Sequence, residues 1–270
     1  MTILIVLLGL LVSHLVYPVA RWRSYDWFTA VMRPIRRRPG GRDWEPALAV
    51  VIFALLISLG AGALMVALFG GPGWFMLALL VFIYTLGPRD LDRDVQSLLV
   101  GNSDPRHLKA RRLMRIPRDA GPEQAAAGVF HAAQARWFGI LFWFVVLGIA
   151  GALLYRLTRL SLHLSGLSPQ QSAWLLRLRA VLDWPVLVLM LISAGLGADL
   201  DRVRHAWQMH TATRSAWSIH AGVLDEVAKG LVDPAGTFED GVTSGHHMAW
   251  RMLLIWLVVL SLLLIAGWLS

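Results

Sequence analysis

No cysteine occurs anywhere in the 270 residues, so a disulfide framework, a zinc ribbon, an iron–sulfur centre and a thiol nucleophile are all excluded. Missing thiols suit either side of a membrane and reveal no compartment. Charge is also scarce: 16% of residues are Asp, Glu, Lys or Arg, whereas 57% are hydrophobic. A soluble domain carries about 25% charged residues. Together with a mean hydropathy of +0.59, this rules out a conventional soluble enzyme. Acidic residues are the scarcer sign, 17 against 25 basic. That imbalance suggests nucleic acid only until its distribution along the chain is read.

What the chain has instead is apolar length. Six stretches are nearly free of charge: Met1–Ala20, Ala47–Phe69, Trp74–Leu86, Trp137–Tyr155, Leu182–Ala198 and Met252–Ser270. A spanning helix needs about 20 apolar residues. Most of the stretches meet that, and Trp74–Leu86 is short enough to be a re-entrant half-helix. Gly70-Gly71-Pro72-Gly73 precedes it. Glycine supplies positive φ and proline ends a helix, so Ala47–Leu86 is expected to form a helical hairpin. A phosphate cradle would also need the Lys-Ser/Thr that is missing there. The expected fold class is an all-α integral membrane protein of five or six transmembrane helices, one of them short or re-entrant. It forms a single membrane domain over 1–270, with helical cytoplasmic segments at about 21–46, 87–136 and 199–251.

The arginines set the expected orientation. With six crossings, segments 21–46, 87–136 and 199–251 place 21 basic residues on one face. Only Arg156, Arg159, Arg177 and Arg179 remain for the other. Cytoplasmic loops carry the Lys/Arg excess, so the richer face is expected to be cytoplasmic, in a multi-pass protein of the bacterial inner membrane. Trp44, Trp137 and Trp250 fall near one end of the stretches and Trp74, Trp184 and Trp268 near the other. Indole rings favour headgroup level, which agrees with that layout. Met1–Ala20 has its basic flank after the apolar run, the reverse of a cleaved signal, and reads as a retained anchor.

The polar segments offer few groups for chemistry. The run Asp90-Leu91-Asp92-Arg93-Asp94 sets Asp90 and Asp94 one helical turn apart. Such carboxylates can hold Mg²⁺ or Ca²⁺, while Arg89 and Arg93 offer ordinary ion pairs. The segment 87–136 is expected to be helical with breaks at Gly101, Pro105, Pro117 and Pro122. Residues 199–251 hold His205, His210, His220, His246 and His247, without the i,i+4 spacing of zinc ligands. Trp207, Arg214, Trp217 and Asp225 follow helical spacing in the same segment. Basic segments beside a bilayer are drawn to anionic headgroups at about 1 kcal/mol per residue. Arg33–Arg42 therefore needs no nucleic acid, and no nucleic-acid motif is present. Polar groups within the apolar stretches are few: Ser13 and His14 lie in the first, and the ionisable Asp183 marks the edge of the fifth. Asp183 is placed to pair with Arg179 or to cap a helix begun at Pro185.

The stretch RWFGILFWFVVLGIAGALLYRL at Arg136–Leu157 and RLRAVLDWP at Arg177–Pro185 resemble the AmpE family. So do DVQSLLVGNSDPRHLKARR at Asp94–Arg112 and the Trp207 of DRVRHAW. That family is a branch of the superfamily of CobD/CbiB adenosylcobinamide-phosphate synthases of the cobalamin pathway. The likeness runs nearly the whole chain in order and length, and the GALLYRL block with its preceding LFW is its specific part. Gly148, Gly151 and Ala152 are small residues that let another helix come close, and Tyr155 and Arg156 then fall at the membrane interface.

The synthases form an amide, and carry polar residues at three places. Here those places hold His131-Ala132-Ala133-Gln134-Ala135, then Arg159-Leu160-Ser161-Leu162-His163-Leu164, and Arg179-Ala180 ahead of Asp183. The Mg²⁺ and nucleotide ligands that amide formation needs are missing from all three. The resemblance thus implies the AmpE role: a non-enzymatic sensory protein linked to peptidoglycan recycling and β-lactamase induction, with no cofactor, metal or catalytic residue. A cytoplasmic protein or small ligand is the implied partner beside anionic lipid, and homodimerisation is compatible with the small-residue faces. Asp90, Asp94, Asp104, Tyr155, Arg156, Asp183, Trp184 and Trp207 are the candidate ligand-binding residues. An enzyme with altered chemistry at Asp90, Asp94 and Asp104, or a small transporter, are the competing readings.

Overall fold

The computed structural model describes residues 2–15, 25–36, 42–86, 90–101, 104–198, 200–211 and 222–266. The side chains of Ser13, His14 and His210 lie outside the described set, as do Arg214, Trp217, His220 and Trp268. Every regular element described is a helix, which gives the all-α fold expected. The helices are α1 (Thr2–Leu15), α2 (Asp26–Arg36), α3 (Glu45–Thr85), α4 (Leu91–Leu99), α5 (Pro105–Met114) and α6 (Pro122–Ala133). After a π-helical turn at Gln134–Phe138 come α7 (Gly139–Ser161), α8 (Pro169–Gly197), α9 (Leu200–Thr211), α10 (Val223–Leu231) and α11 (Phe238–Ile265). Helical runs at Glu45–Thr85, Pro122–Ser161, Pro169–Gly197 and Phe238–Leu263 are long and apolar enough to cross a membrane, and Thr2–Val12 is a shorter apolar one. The protein is therefore membrane-embedded. Two compact units divide the chain: residues 1–88, 139–182 and 270 in the first, 89–138 and 183–269 in the second.

In the first unit α3 and α7 pack on each other, and each is folded back on itself at one glycine. Gly70 has φ 65° and ψ −147°, and Gly148 has φ 61° and ψ −142°. Only glycine reaches that region without strain. The contacts across each bend show how sharp it is. A methyl group on Gly62 would lie 2.6 Å from the Trp74 ring, and one on Gly73 would press on the Met65 carbonyl oxygen. In a straight helix those pairs would stand about 18 Å and about 12 Å apart. In α7, a methyl group on Gly151 would strike the Trp143 carbonyl, and one on Gly139 the Tyr155 ring. A straight helix would separate these by about 12 Å and about 24 Å. The paired numbers centre on residues 68–69 and 147, just before the two glycines, as in two antiparallel arms. Small residues line the seam because the backbones come within contact of each other.

The hairpin expected at Ala47–Leu86 is thus present, with the reversal at Gly70 alone; Gly71 and Pro72 open the return arm. The expected single crossing at Trp137–Tyr155 is not found, because Gly148 turns the chain back within it. Of these small residues Gly151 does permit a close approach, but between the two arms of one hairpin; Gly148 is the bend itself and has open space around it. The consequence reaches the arginines. Leu157 and Leu175 share one buried cluster with Tyr25, Phe28, Met32, Ala47 and Val50, and Leu160, Leu162, Leu164 and Leu167 pack against it. Arg156 and Arg159 therefore lie at the end of this unit that holds α2 and the start of α3. The expected separation of those arginines from segment 21–46 does not occur. Tyr155 and Arg156 are also buried rather than set at an interface with water.

The second unit is built on α6 and α11. Gly241 and Gly245 of α11, four residues apart, meet the backbones of Pro122 and Ala126, also four apart. This is a small-xxx-small seam, and the Ala125-Ala126-Ala127 run on α6 is its other half. The helix boundaries follow local chemistry. α4 and α5 are capped by Asp90 and Asp104, and α5 and α6 each begin with proline. Thr237 and Asp240 cap α11 reciprocally, at 2.8 Å and 3.2 Å. The breaks expected at Gly101, Pro105, Pro117 and Pro122 fall between or at the starts of these helices.

Candidate functional site

The polar heart of the second unit is assembled around α4. Leu91, Val95 and Leu98 recur at helical spacing and are buried, which turns that face of α4 inward. Asp94 falls on this face and has no solvent-exposed side chain; Asp92 lies at its edge. Both carboxylates are thereby carried into the interior, where each needs a donor.

Each finds one. Arg136 donates from its Nη1 to Asp94 Oδ2 at 2.7 Å. His246 Nε2 stands 2.6 Å from Asp92 Oδ1, and Trp250 Nε1 donates to the same oxygen at 3.0 Å. His246 and Trp250 are one turn apart on α11, so one helical face delivers both. Trp250 also meets the Trp137 ring edge-to-face at a centroid distance of 5.3 Å. Arg136 and Trp137 belong to the π-helical turn, whose extra residue re-aims consecutive side chains. Such turns recur at functional sites. Below them, Phe138 packs edge-on against Trp256, whose Nε1 donates to Ser193 Oγ at 2.8 Å. Nearby, His131 Nε2 contacts Asp225 Oδ1 at 2.8 Å.

A smaller polar group ties α5 to α11. Arg111 donates to the Arg118 carbonyl at 2.8 Å and lays its guanidinium 4.2 Å from the Phe238 ring centre; His107 flanks the same ring. Burial lowers the Arg111 pKa from its ordinary value, an effect that nearby Asp119 opposes.

The candidates read from the sequence are dispersed over this frame. Asp90 accepts from the backbone N–H of Asp92 at 3.3 Å, and Asp104 from that of Arg106 at 2.7 Å, so both are helix caps. Asp90 sits in extended backbone before the first turn, so the expected shared face with Asp94 does not form. The carboxylate of Asp94 pairs with Arg136, 42 residues away. Asp183 is buried in mid-helix, because α8 runs on through Pro185; no helix begins there for it to cap. Trp184 and Trp207 are half-buried, on α8 and α9. Tyr155 and Arg156 belong to the first unit, where Arg159 Nη1 donates to the Tyr155 hydroxyl at 2.7 Å. Asp92, His246, Trp250, Arg136 and Trp137 were not singled out as a site. The i,i+4 relation of His246 to Trp250 was the available signal, but adjacent His247 obscured it. Trp137, expected at headgroup level, is buried in this group, whereas Trp44 and Trp74 are exposed.

No protein-family model, curated protein or solved structure matches the chain. The helices therefore define its class by themselves: an all-α, membrane-embedded protein with a buried polar cluster in one of its two units.

Proposed function

We propose that this protein is a non-enzymatic regulatory protein of the bacterial inner membrane. In this reading it has the AmpE role in β-lactamase induction and peptidoglycan recycling, with its basic segments cytoplasmic and acting on a cytoplasmic protein or small ligand. The observation that carries the reading is the fate of the three carboxylates available for cation-assisted chemistry. Asp90 and Asp104 close helix N-termini and Asp94 neutralises a buried arginine, so all three are committed to holding the second unit together. Nucleotide-dependent amide formation needs such groups at liberty to hold Mg²⁺. The family in this reading rests on the sequence likeness at Arg136–Leu157.

The test is induction of β-lactamase in a host lacking its own AmpE-type protein, complemented with this chain. Complementation that survives Asp90→Asn and Asp104→Asn supports the reading; failure of the unaltered chain to change induction refutes it. An enzymatic reading is favoured by one observation, the hold of Asp92 on His246. A carboxylate that fixes one ring nitrogen leaves the other as a base. If Asp92→Asn and His246→Gln abolish the cellular phenotype while the purified variants unfold like the unaltered protein, that reading prevails.

A further inference from the structure

We propose that Arg156 is the centre of a binding site for the phosphate of an anionic phospholipid. The site stands on the geometry of the first unit and is independent of the regulatory reading.

Arg156 lies two turns beyond the Gly148 reversal and is 8% exposed. Its Nε is buried with no hydrogen-bond acceptor among the described residues. An aromatic ring lies against it: the guanidinium carbon stands 5.2 Å from the centre of the Tyr25 ring. That ring is fixed in turn. Tyr25 donates its hydroxyl to the Tyr84 carbonyl at 2.8 Å, packs on the Tyr84 ring at 4.8 Å, and Trp27 Nε1 donates to the Tyr84 hydroxyl at 3.0 Å. An aromatic face stabilises a cation but satisfies none of the five N–H donors of a guanidinium. A buried guanidinium N–H without an acceptor, such as this Nε, is a defect unless a ligand completes it.

Among the described residues no anion is paired with Arg156. Residues 139–182 contain four arginines and no Asp or Glu. The whole first unit has Asp26, Asp43 and Glu45 to set against those four and the seven arginines of 21–46. The second unit has as many acidic as basic residues, so the chain's net charge of +8 belongs to the first. Three of its other described arginines also lie over an aromatic ring. Arg159 lies over Tyr155 at 5.5 Å, Arg177 over Trp174 at 4.9 Å and Arg42 over Trp44 at 5.8 Å.

The surroundings identify the phosphate as a lipid's. On α2, Phe28 and Met32 are buried while Trp27, Val31 and Arg33 are exposed, the pattern of a helix lying in the interface plane. From the same level, Leu48, Ile52, Leu55, Leu56 and Leu59 of α3 present an exposed apolar stripe. A phosphate seated on Arg156 thus has acyl-chain surface beside it, which a free anion could not use.

The test is native mass spectrometry of the full chain released from detergent, with phosphatidylglycerol, phosphatidylcholine or inorganic phosphate added at equal concentration. The site predicts retention of phosphatidylglycerol about tenfold above phosphatidylcholine. It also predicts loss of about that factor in Arg156→Gln, and a smaller loss in Arg156→Lys, which keeps the charge but not the planar fork. Arg177→Gln should retain lipid like the unaltered chain. If Arg156→Gln does not fold, Arg156→Lys and the two-lipid comparison carry the test. Equal retention of both lipids, unchanged retention in the foldable Arg156 variants, or displacement of lipid by inorganic phosphate would each overturn the proposal.

Discussion

Whether Asp94 is a structural or a reactive group can be decided by how its removal is felt. The carboxylate has no exposed side-chain surface, and its partner Arg136 has 11%. Removing one member of such a pair leaves the other charge buried and uncompensated, at a cost of about 3–5 kcal/mol. At about 1.4 kcal/mol per factor of ten, that lowers the folded-to-unfolded ratio by a factor of hundreds to thousands. Replacing both members with apolar side chains of similar volume removes the stranded charge, and such replacements are often neutral. Asp94→Asn and Arg136→Met should therefore each lower the unfolding midpoint in mixed dodecylmaltoside–SDS micelles. The Asp94→Asn/Arg136→Met double variant, which leaves neither charge behind, should recover most of the loss, a coupling of about 2–4 kcal/mol. The reasoning is refuted if Asp94→Asn unfolds within about 0.5 kcal/mol of the unaltered protein, the range of a neutral surface change, or if the double variant loses the sum of the singles.

The two reversals make a second prediction. Alanine at Gly148 or Gly70 meets no atom within 4 Å, so its penalty is that of the backbone alone, about 1–3 kcal/mol. Alanine at Gly71, where there is equally open space and no positive φ, should cost nothing measurable; the same micelle titration checks all three. At the α6–α11 seam, Gly241→Ala pushes a methyl group into the Pro122 backbone and should cost about 1–3 kcal/mol by overpacking. Ser193→Ala removes the acceptor of Trp256 Nε1, at about 1–3 kcal/mol, and should shift tryptophan emission as the buried indole loses that bond.

Much of this architecture is legible in the letters. Apolar length without charge gives the class, and proline with Asp or Gly fixes the boundaries of α4, α5 and α6. Gly70 announces itself because Gly71, Pro72 and Gly73 follow. Gly148 does not. It stands inside LGIAGALL, a run whose composition suits an unbroken crossing equally well, and its positive φ is set by packing of the two arms. The error over Arg156 and Arg159 follows from that one residue, since arginine counts assign faces only once the number of crossings is right. The caps Asp90 and Asp104 show a related limit. Spacing alone places Asp90 and Asp94 on one face, but a capping residue is not yet in the helix. The Asp92–His246–Trp250 group joins positions about 150 residues apart, and its pairing was decided by tertiary contact.

The account turns on the Gly148 reversal, which sets the turn after α7 beside α2. The chain has no cysteine of its own, so single cysteines can be introduced without background. His163 and Asp26 are both exposed, one in that turn and the other at the start of α2. His163→Cys and Asp26→Cys, tested separately in oriented vesicles with a membrane-impermeant maleimide, should label from the same side. Labelling from opposite sides would mean that α7 crosses the membrane unbroken, and would contradict the reversal and the site built on it.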